Sequence, residues 1–425
     1  VKTETKKPDA DKSYSFAFKL KPGLIKYKVE FFTLKGADKT PANTVGNIVC
    51  GDAYIIQGQS NAEATGPNNG PTIDADSPLG DWIRSYGNSY NGDIKNGWGN
   101  AIRTRIWGKP DYGHAQIGSW GMALANDLVA KYQIPICIMN GAVGGTRIDQ
   151  HQRNESNPND PSTIYGRLLN RIQAANLSHG IRGVLWHQGE NNQGSASPTG
   201  DYDWKSYQQY FVDLSAAWKQ DFPNIQNYYV FQIWPSGCNM GGTHAGDMLL
   251  EVQRSLPFLY SNMRIMSTLG IVSGSSGRGL CHFDMEGYAL IARQICPLLE
   301  QDNYGLSRSK VLSAPNLLRA VFTNEAKNEI LLQFDQPMIW KEQCKAWIYL
   351  DGVAAPITSG KAQGSNIILQ LASQGRQLAS PDKPNLISYL SGKYWDGKPD
   401  KLIYGSNGIA ALAIADVPVK LANVR

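Results

Sequence analysis

The stretch Asp52-Ala-Tyr-Ile-Ile-Gln57 is an apolar run of strand length that leads directly into Gly58-Gln59-Ser60-Asn61-Ala62. Further apolar runs of similar length follow it, and segments with apolar residues at helical spacing lie between them. Strands that alternate with helices predict a parallel sheet with helices on both faces, so we expect an α/β fold. The further runs are residues 134–139, 181–186, 228–233 and 265–269.

Two regions with strand-like periodicity flank this α/β region. Residues 13–48 alternate apolar and polar side chains, and Pro22-Gly23 lies between two such runs, which predicts an N-terminal β hairpin. After about residue 305 the alternation returns, as at Ile330, Leu332 and Phe334, and predicts a β-sandwich-like domain. The predicted division is an N-terminal β segment over 1–48, an α/β domain over 49–304 and a C-terminal β domain over 305–425.

The segment 62–118 interrupts the strand–helix rhythm. It is rich in Gly, Asn, Asp and Pro and contains scattered aromatic residues, among them Trp98 and Trp107. A long irregular insertion after the first strand would lie over the carboxyl edge of the sheet, where ligands bind in such folds. We interpret it as a substrate-covering loop, and an ordered excursion without a ligand is the alternative.

The composition excludes several classes of partner. The net charge of +5 is spread over 425 residues without a dense Lys/Arg block, so nothing indicates nucleic acid or a membrane surface as a partner. No apolar run approaches the roughly 18 residues that a membrane span requires. The sequence makes no prediction of oligomeric state.

The cysteines bear on metal binding and on localisation. The six cysteines form no C-x-x-C pair, which argues against the common zinc and thioredoxin motifs. Cys281 and Cys296 are the pair that we expect to form a disulfide, with free buried thiols as the alternative. Because the sequence begins at Val1 rather than Met, we expect a processed or shortened N-terminus and a secreted or periplasmic protein.

Ser60 lies where an exposed nucleophile is expected, just past the first strand in a turn that follows a glycine. A serine hydroxyl is a poor nucleophile at neutral pH, so it needs a nearby base and donors for the oxyanion. The nucleophile elbow G-x-S-x-G is absent because Ala62 occupies its last position, which disfavours an ordinary α/β-hydrolase. The alternative is that Ser60 only caps a helix.

Three other clusters follow predicted strands in the same way. They are Asn140-Gly-Ala-Val-Gly-Gly-Thr146, Trp186-His-Gln-Gly-Glu-Asn191 and Cys281-His-Phe-Asp284. Since parallel strands end at one edge of a sheet, all of these clusters are expected to meet there with Ser60. Their glycine turns leave backbone N–H groups free to point at an anion.

Residues 46–300 resemble the SGNH hydrolases. The resemblance rests on four motifs, which are G-Q-S-N, G-G-T, Q-G-E-N and a late histidine before a helix. Within that superfamily these residues resemble the sialate O-acetylesterase and acetylxylan esterase branch. The resemblance implies a three-layer α/β/α fold with about five parallel strands, and it makes residues 49–304 a catalytic domain. It also implies hydrolysis of O-acetyl esters on carbohydrate without a metal or another cofactor.

Carried over by position, the resemblance implies a role for each motif. Ser60 corresponds to the nucleophile and His282 to the general base. The amides of Ser60 and Gly144, together with the side chain of Gln188, correspond to the oxyanion hole.

The orienting acid is where this chain departs from the pattern. Many SGNH hydrolases have an aspartate three residues before the histidine, and here that position is Gly279. Glu190 is the first candidate for the missing carboxylate. The alternatives are Asp284, which could instead cap the helix that it opens, and a Ser–His dyad without an acid.

Two residues are predicted to contact the sugar. Asn61 borders the nucleophile, and Arg147 follows the G-G-T turn, although a surface salt bridge between Arg147 and Asp149 is as good an interpretation. His187 is more simply a structural residue of a buried strand. The alternatives to an acetylesterase are an SGNH lipase or thioesterase, and a non-catalytic carbohydrate-binding protein on an esterase fold.

Overall fold

The computed structural model describes residues 2–65, 79–87, 96–103, 116–194, 199–271, 281–307, 311–372 and 384–422. At its centre is a seven-stranded sheet. Its strands are β3 (Asp52–Gly58), β4 (Ile83–Gly87), β5 (Gly97–Asn100), β6 (Ile136–Asn140), β7 (Ile181–His187), β8 (Asn227–Gln232) and β9 (Met263–Ser267). Their order across the sheet is β5-β4-β6-β3-β7-β8-β9. Every neighbouring pair is parallel except β5 and β4.

Helices cover both faces of this sheet. Tyr54, Ile55 and Ile56 of β3 are all fully buried, although successive side chains of a strand point to opposite faces. The α/β fold predicted from the sequence is therefore confirmed, and its five predicted strands are β3, β6, β7, β8 and β9. The helices are α1 (Ser60–Glu63), α2 (Ser119–Tyr132), α3 (Ile164–Ala174), α4 (Trp204–Asp221), α5 (His244–Ser255) and α6 (Met285–Tyr304).

The strand order puts a reversal of winding at the end of β3. After β6 the chain crosses to the other side of β3 to form β7, so the direction of winding reverses at β3. In open α/β sheets the crevice at such a reversal, beyond the carboxyl ends of the strands, is where ligands bind. The turn that carries Ser60 leaves β3 at this point.

The segment 62–118 contributes strands that the sequence did not predict. Ile83–Gly87 and Gly97–Asn100 form β4 and β5 at one edge of the sheet, and Tyr86 and Trp98 pack edge to face at 5.7 Å. The rest of the expected substrate-covering loop, including Trp107, falls largely outside the described residues. Its role over the substrate stays a prediction.

The N-terminal hairpin exists, but the prediction of its turn at Pro22-Gly23 is wrong. Strands β1 (Gly23–Lys35) and β2 (Asp38–Cys50) are antiparallel, and Lys35 pairs with Asp38 across a tight turn. Gly36 within that turn has a φ of +63°, a conformation that glycine adopts without steric cost. The turn therefore lies fourteen residues beyond Pro22.

The C-terminal region is rich in strands, as predicted. Its strands form one eight-stranded sheet in the order β14-β13-β17-β19-β10-β11-β16-β15, and β12 and β18 form a separate pair. Arg254 of α5 reaches this region by donating to Asn316 and to the carbonyl of Leu317, both at 2.7 Å. The strands are β10 (Leu317–Phe322), β11 (Glu329–Phe334), β12 (Met338–Ile339), β13 (Ile348–Leu350), β14 (Val353–Ala354), β15 (Ile357–Gln363), β16 (Asn366–Leu371), β17 (Asn385–Tyr389), β18 (Tyr404–Gly405) and β19 (Ile414–Leu421).

Among the described helices, none combines the length and the apolar character needed to cross a membrane.

Candidate active site

A serine and a histidine from distant parts of the chain meet at the carboxyl edge of the sheet. The Oγ of Ser60 and the Nε2 of His282 lie 2.9 Å apart, within hydrogen-bond distance. Ser60 is partly buried and His282 is exposed, so the pair can be reached from solvent. This is the geometry that a general base and its nucleophile require.

The local fold explains why Ser60 stands at this edge. Gly58 has a φ of +137°, and a Cβ there would lie 2.0 Å from the carbonyl oxygen of His187, so only glycine lets β3 and β7 approach so closely. The chain then turns into α1, which begins at Ser60 after Gln59. Because Gln59 precedes the helix, the alternative that Ser60 is only a helix cap is wrong. As the first residue of the helix, Ser60 has a backbone N–H without an intrahelical partner.

The chain is held in place by hydrogen bonds both before and after His282. On one side, the carbonyl of Cys281 accepts a hydrogen bond of 2.9 Å from the Nδ2 of Asn61. On the other, Asp284 caps α6 and its Oδ1 accepts from the amide of Gly287 at 2.7 Å. Asp284 therefore has the capping role that was its alternative interpretation. Gly279 lies outside the described residues.

The disulfide differs from the expected pair. Cys281 is bonded to Cys238, with the two Cα atoms 4.1 Å apart, so the prediction of a Cys281–Cys296 disulfide is wrong. Cys296 is a buried free thiol on α6, and burial raises its pKa to about 12. The disulfide ties the residue next to His282 to a short 3-10 turn over Gly237–Asn239.

Asn61 is a structural tie rather than an exposed sugar contact. It is only 2% exposed, and its Nδ2 donates both to Cys281 and, at 2.8 Å, to the Oε1 of Glu190. Its Oδ1 accepts from the hydroxyl of Tyr288 at 3.2 Å. The prediction that Asn61 binds substrate is therefore not supported by its position. Asn61 instead links helix α1 to the loop that carries His282.

Glu190 lies beneath the site at the end of β7. It is 2% exposed, and burial raises the pKa of its carboxyl group. Its Oε1 is 2.8 Å from Asn61 Nδ2 and 3.7 Å from the Nε2 of His187. Hydrogen bonds from Asn61 to Glu190 and to the carbonyl of Cys281 thus connect Glu190 to the residue next to His282.

Gly144 lies beside Ser60, as predicted, but its amide has an acceptor within the protein. A Cβ on Gly144 would lie 3.6 Å from the Cβ of Ser60, and its N–H donates to the Oε2 of Glu63 at 3.1 Å. Glu63 follows Ser60 by three residues on α1 and is 6% exposed. The sequence analysis did not identify Glu63. Its position three residues after Ser60 was the available signal, because residues three apart on a helix are neighbours.

Gln188 is placed deeper than an oxyanion donor should be. Its side chain is fully buried, and its Nε2 faces three internal acceptors. These are the carbonyl of Thr146 at 3.1 Å, Asn192 Oδ1 at 2.7 Å and Gln59 Oε1 at 3.2 Å. Two N–H groups that face three internal acceptors tie the loops after β3, β6 and β7 together.

Arg147 forms the salt bridge that was its alternative interpretation. Its Nε and one terminal nitrogen lie 2.9 Å and 3.0 Å from the carboxylate oxygens of Asp149, which raises the pKa of the guanidinium group. The guanidinium also lies 4.5 Å from the ring centre of Tyr202. Its side chain is 23% exposed, so one part of it faces solvent next to the G-G-T turn.

His151 supports the same turn from below. It is fully buried, and burial lowers its pKa to about 3. The Oε1 of Gln57 accepts from Trp218, so its Nε2 is free to donate to the Nδ1 of His151. The proton of the imidazole is therefore on His151 Nε2, which lies 2.8 Å from Thr146 Oγ1. The neutral imidazole thus holds Thr146 in place.

His187 is a buried strand residue, in line with its structural interpretation. Its ring stacks on Phe231 with the centres 5.1 Å apart, and burial lowers its pKa to about 3. Within the described ranges, the group Cys238, Cys281 and His282 has the spacing of a metal site. Its two sulfurs are joined in the disulfide, whereas a metal binds thiolates.

Comparison with known proteins agrees with this fold. Residues 50–245 match the model of a family described as carbohydrate esterase, sialic acid-specific acetylesterase. A carbohydrate acetylesterase from Xanthomonas citri is 17% identical with a TM-score of 0.59, and the match covers 88% of this chain and 82% of that one. No curated protein matches the chain by sequence.

Two smaller structures match mainly one part of the chain. A protein from Arabidopsis thaliana is 21% identical with a TM-score of 0.44, and the match covers 59% of this chain and 98% of that one. NanS is 17% identical with a TM-score of 0.43, over 60% of this chain and 98% of that one.

The chain has a parallel α/β sheet with Ser60 and His282 in contact at its carboxyl edge, an arrangement that suits an esterase. The match of residues 50–245 to the family named above confirms the resemblance found in the sequence and supports carbohydrate acetylesterase activity.

Proposed function

We propose that this acetylesterase works through an acetyl-enzyme on Ser60, with His282 as the general base. The observation that carries the proposal is the 2.9 Å contact between Ser60 Oγ and His282 Nε2 at the solvent-accessible edge of the sheet. The substrate is an O-acetylated carbohydrate, either a polysaccharide or a sialic-acid-type sugar.

The reaction proceeds in two halves. His282 takes the proton of the Ser60 hydroxyl while the oxygen attacks the acetyl carbonyl carbon. The bond to the sugar oxygen then breaks, and His282 gives that oxygen the proton. A water molecule repeats the sequence on the acetyl-enzyme and releases acetate, which restores Ser60.

The oxyanion is stabilised by backbone N–H groups in this proposal. The amide of Ser60 at the start of α1 is one donor, and the positive end of the helix favours a negative charge there. The amide of Gly144 becomes the second donor once the oxyanion replaces the Glu63 carboxylate that it now faces. Gln188 holds the surrounding loops, and Glu190 acts on His282 through Asn61.

The partly exposed Arg147 is the proposed sugar contact. Guanidinium N–H groups next to the G-G-T turn suit the hydroxyl oxygens of a carbohydrate. The Cys238–Cys281 disulfide supports a secreted or periplasmic location, because disulfides persist in oxidising compartments.

The deciding experiment is acetate release from a panel of acetylated glycans by the wild-type protein and three variants. We expect Ser60→Ala and His282→Ala each to lower kcat by about 10⁴-fold, because each removes a member of the reacting pair. His179→Ala, at an exposed histidine away from the site, is the control and should keep wild-type activity. Glycan binding without acetate release by the wild-type protein would favour the carbohydrate-binding alternative.

The pH profile tests the role of His282 separately. The imidazole must be neutral to accept the serine proton, so kcat/KM should rise with pH through a pKa of about 6–7. A profile that stays flat from about pH 5 to 8 while chemistry limits the rate would contradict this role.

A further inference from the structure

The proposed mechanism does not use the disulfide beside its base. Cys281 immediately precedes His282 in the chain, and its sulfur is bonded to Cys238, 43 residues earlier. The disulfide is therefore a covalent anchor directly beside His282.

The other end of the disulfide is itself held in place. Gln193 Nε2 donates to the carbonyl of Gly237 at 3.0 Å, directly before Cys238. From the C-terminal region, Gly392 packs so closely that a Cβ on it would lie 2.5 Å from the carbonyl oxygen of Gly241. The amide of Gly392 also donates to Asp247 Oδ1 at 2.7 Å, at the start of α5. The anchor thus connects His282 to a packed part of the protein.

The disulfide also decides what the imidazole faces. The Sγ of Cys281 lies 3.8 Å from His282 Nε2, the same nitrogen that is 2.9 Å from Ser60 Oγ. A disulfide sulfur carries no proton and can only accept. A free thiol at this place would donate its S–H and compete with the Ser60 hydroxyl for the lone pair of that nitrogen.

We propose that the Cys238–Cys281 disulfide is a positioning element for His282, which fixes the imidazole against Ser60 and keeps the neighbouring sulfur unprotonated. This inference rests on the proposed role of His282 as base. It makes the esterase sensitive to thiols. One molecule of dithiothreitol supplies two electrons and two protons, forms the two cysteine thiols and becomes a cyclic disulfide itself.

The test compares wild-type protein, Cys238→Ala and the double variant Cys238→Ala/Cys281→Ala by kcat and KM. We expect the double variant to lose about tenfold to 100-fold in kcat with KM within about twofold, because a displaced base slows chemistry without weakening binding. Cys238→Ala should lose more than the double variant, since it leaves the Cys281 thiol next to the imidazole. Cys50→Ala, at a free cysteine away from the site, is the matched control with unchanged kinetics.

Dithiothreitol treatment of folded wild-type protein covers the case in which a variant fails to fold. Reduction should lower kcat of the wild type and leave the double variant unaffected, with circular dichroism unchanged in both. A double variant or a reduced wild type with full kcat would overturn the positioning role, and so would a rise in KM alone. Ser60→Ala is assayed alongside. Activity there would overturn the proposed function instead, so the two failures are distinguishable.

Discussion

Replacing Asn61 by alanine removes the amide that joins three parts of the site. Asn61 donates to Glu190 at 2.8 Å and to the carbonyl of Cys281 at 2.9 Å, and it accepts from Tyr288 at 3.2 Å. All three partners lose a hydrogen bond at a position that is only 2% exposed, where water does not readily replace it. The loop that carries His282 loses its link to helix α1.

The expected cost follows from these contacts. A hydrogen bond to a charged group contributes about 1.5–3 kcal/mol and a neutral one about 0.5–1.5 kcal/mol. One bond to a carboxylate and two neutral bonds therefore predict a loss of about 2.5–6 kcal/mol in the free energy of unfolding. A shift of about 1 Å in a catalytic group costs about 100-fold in rate, so we expect kcat to fall by tenfold to 100-fold.

The assay is steady-state acetate release, with the free energy of unfolding taken from guanidinium denaturation. The matched control is Asn303→Ala, because Asn303 also donates two hydrogen bonds, to Tyr229 and to the carbonyl of Leu299, at the far end of α6. That control should lose stability but keep kcat. If Asn61→Ala instead raised KM and left kcat unchanged, Asn61 would be a substrate contact and the reasoning from its burial would be refuted.

Two more predictions concern the support of the G-G-T turn. His151 has a folded-state pKa of about 3, whereas an unfolded histidine has about 6.5, so between these values the unfolded chain binds more protons and stability falls as the pH falls. Denaturation should show that the wild type loses about 2 kcal/mol more than His151→Gln between pH 6.5 and 5, and equal losses would contradict a buried neutral imidazole. Glu63→Gln keeps an acceptor that holds the G-G-T turn in place until the oxyanion replaces it, and should hold kcat within about threefold, whereas Glu63→Ala leaves the turn without this contact and should lower kcat about tenfold. Equal damage in both variants would show that the charge of Glu63, rather than its hydrogen bond, is needed.

The sheet and the contact between Ser60 and His282 could be predicted because both follow from local patterns. Each of the five buried strands is largely apolar, and parallel strands must end at one edge. Ser60 comes directly after the first of these strands and His282 follows the last one, so they were expected to meet although 222 residues separate them. Chain direction and strand order, rather than detailed side-chain packing, decide that meeting.

What the sequence did not reveal depends on tertiary contacts. Gly97–Asn100 has neither an apolar run nor a clear alternation, and it becomes a strand only because β4 pairs with it. Cys238 and Cys281 are brought together by two loops, and spacing along the chain carries no information about that pairing. The burial of Asn61 and Gln188 could not be seen either, because a polar residue that follows a strand looks the same in the sequence whether its side chain faces the substrate or a carbonyl inside the protein.

That ambiguity changes how the polar motifs of this site should be understood. Gln59 Nε2 donates to Asn191 at 3.0 Å, Asn191 donates to the carbonyl of Gly145 at 2.8 Å, and Gln188 donates to the carbonyl of Thr146 at 3.1 Å. These side chains fill the space beneath Ser60 and tie the three loops that surround it. Buried amide N–H groups that donate to one another's oxygens and to backbone carbonyls favour a single arrangement of loops, because a shift would leave donors without a partner. Most residues of these motifs therefore fix the positions of Ser60 and His282, and only a few exposed atoms are available to react with a substrate.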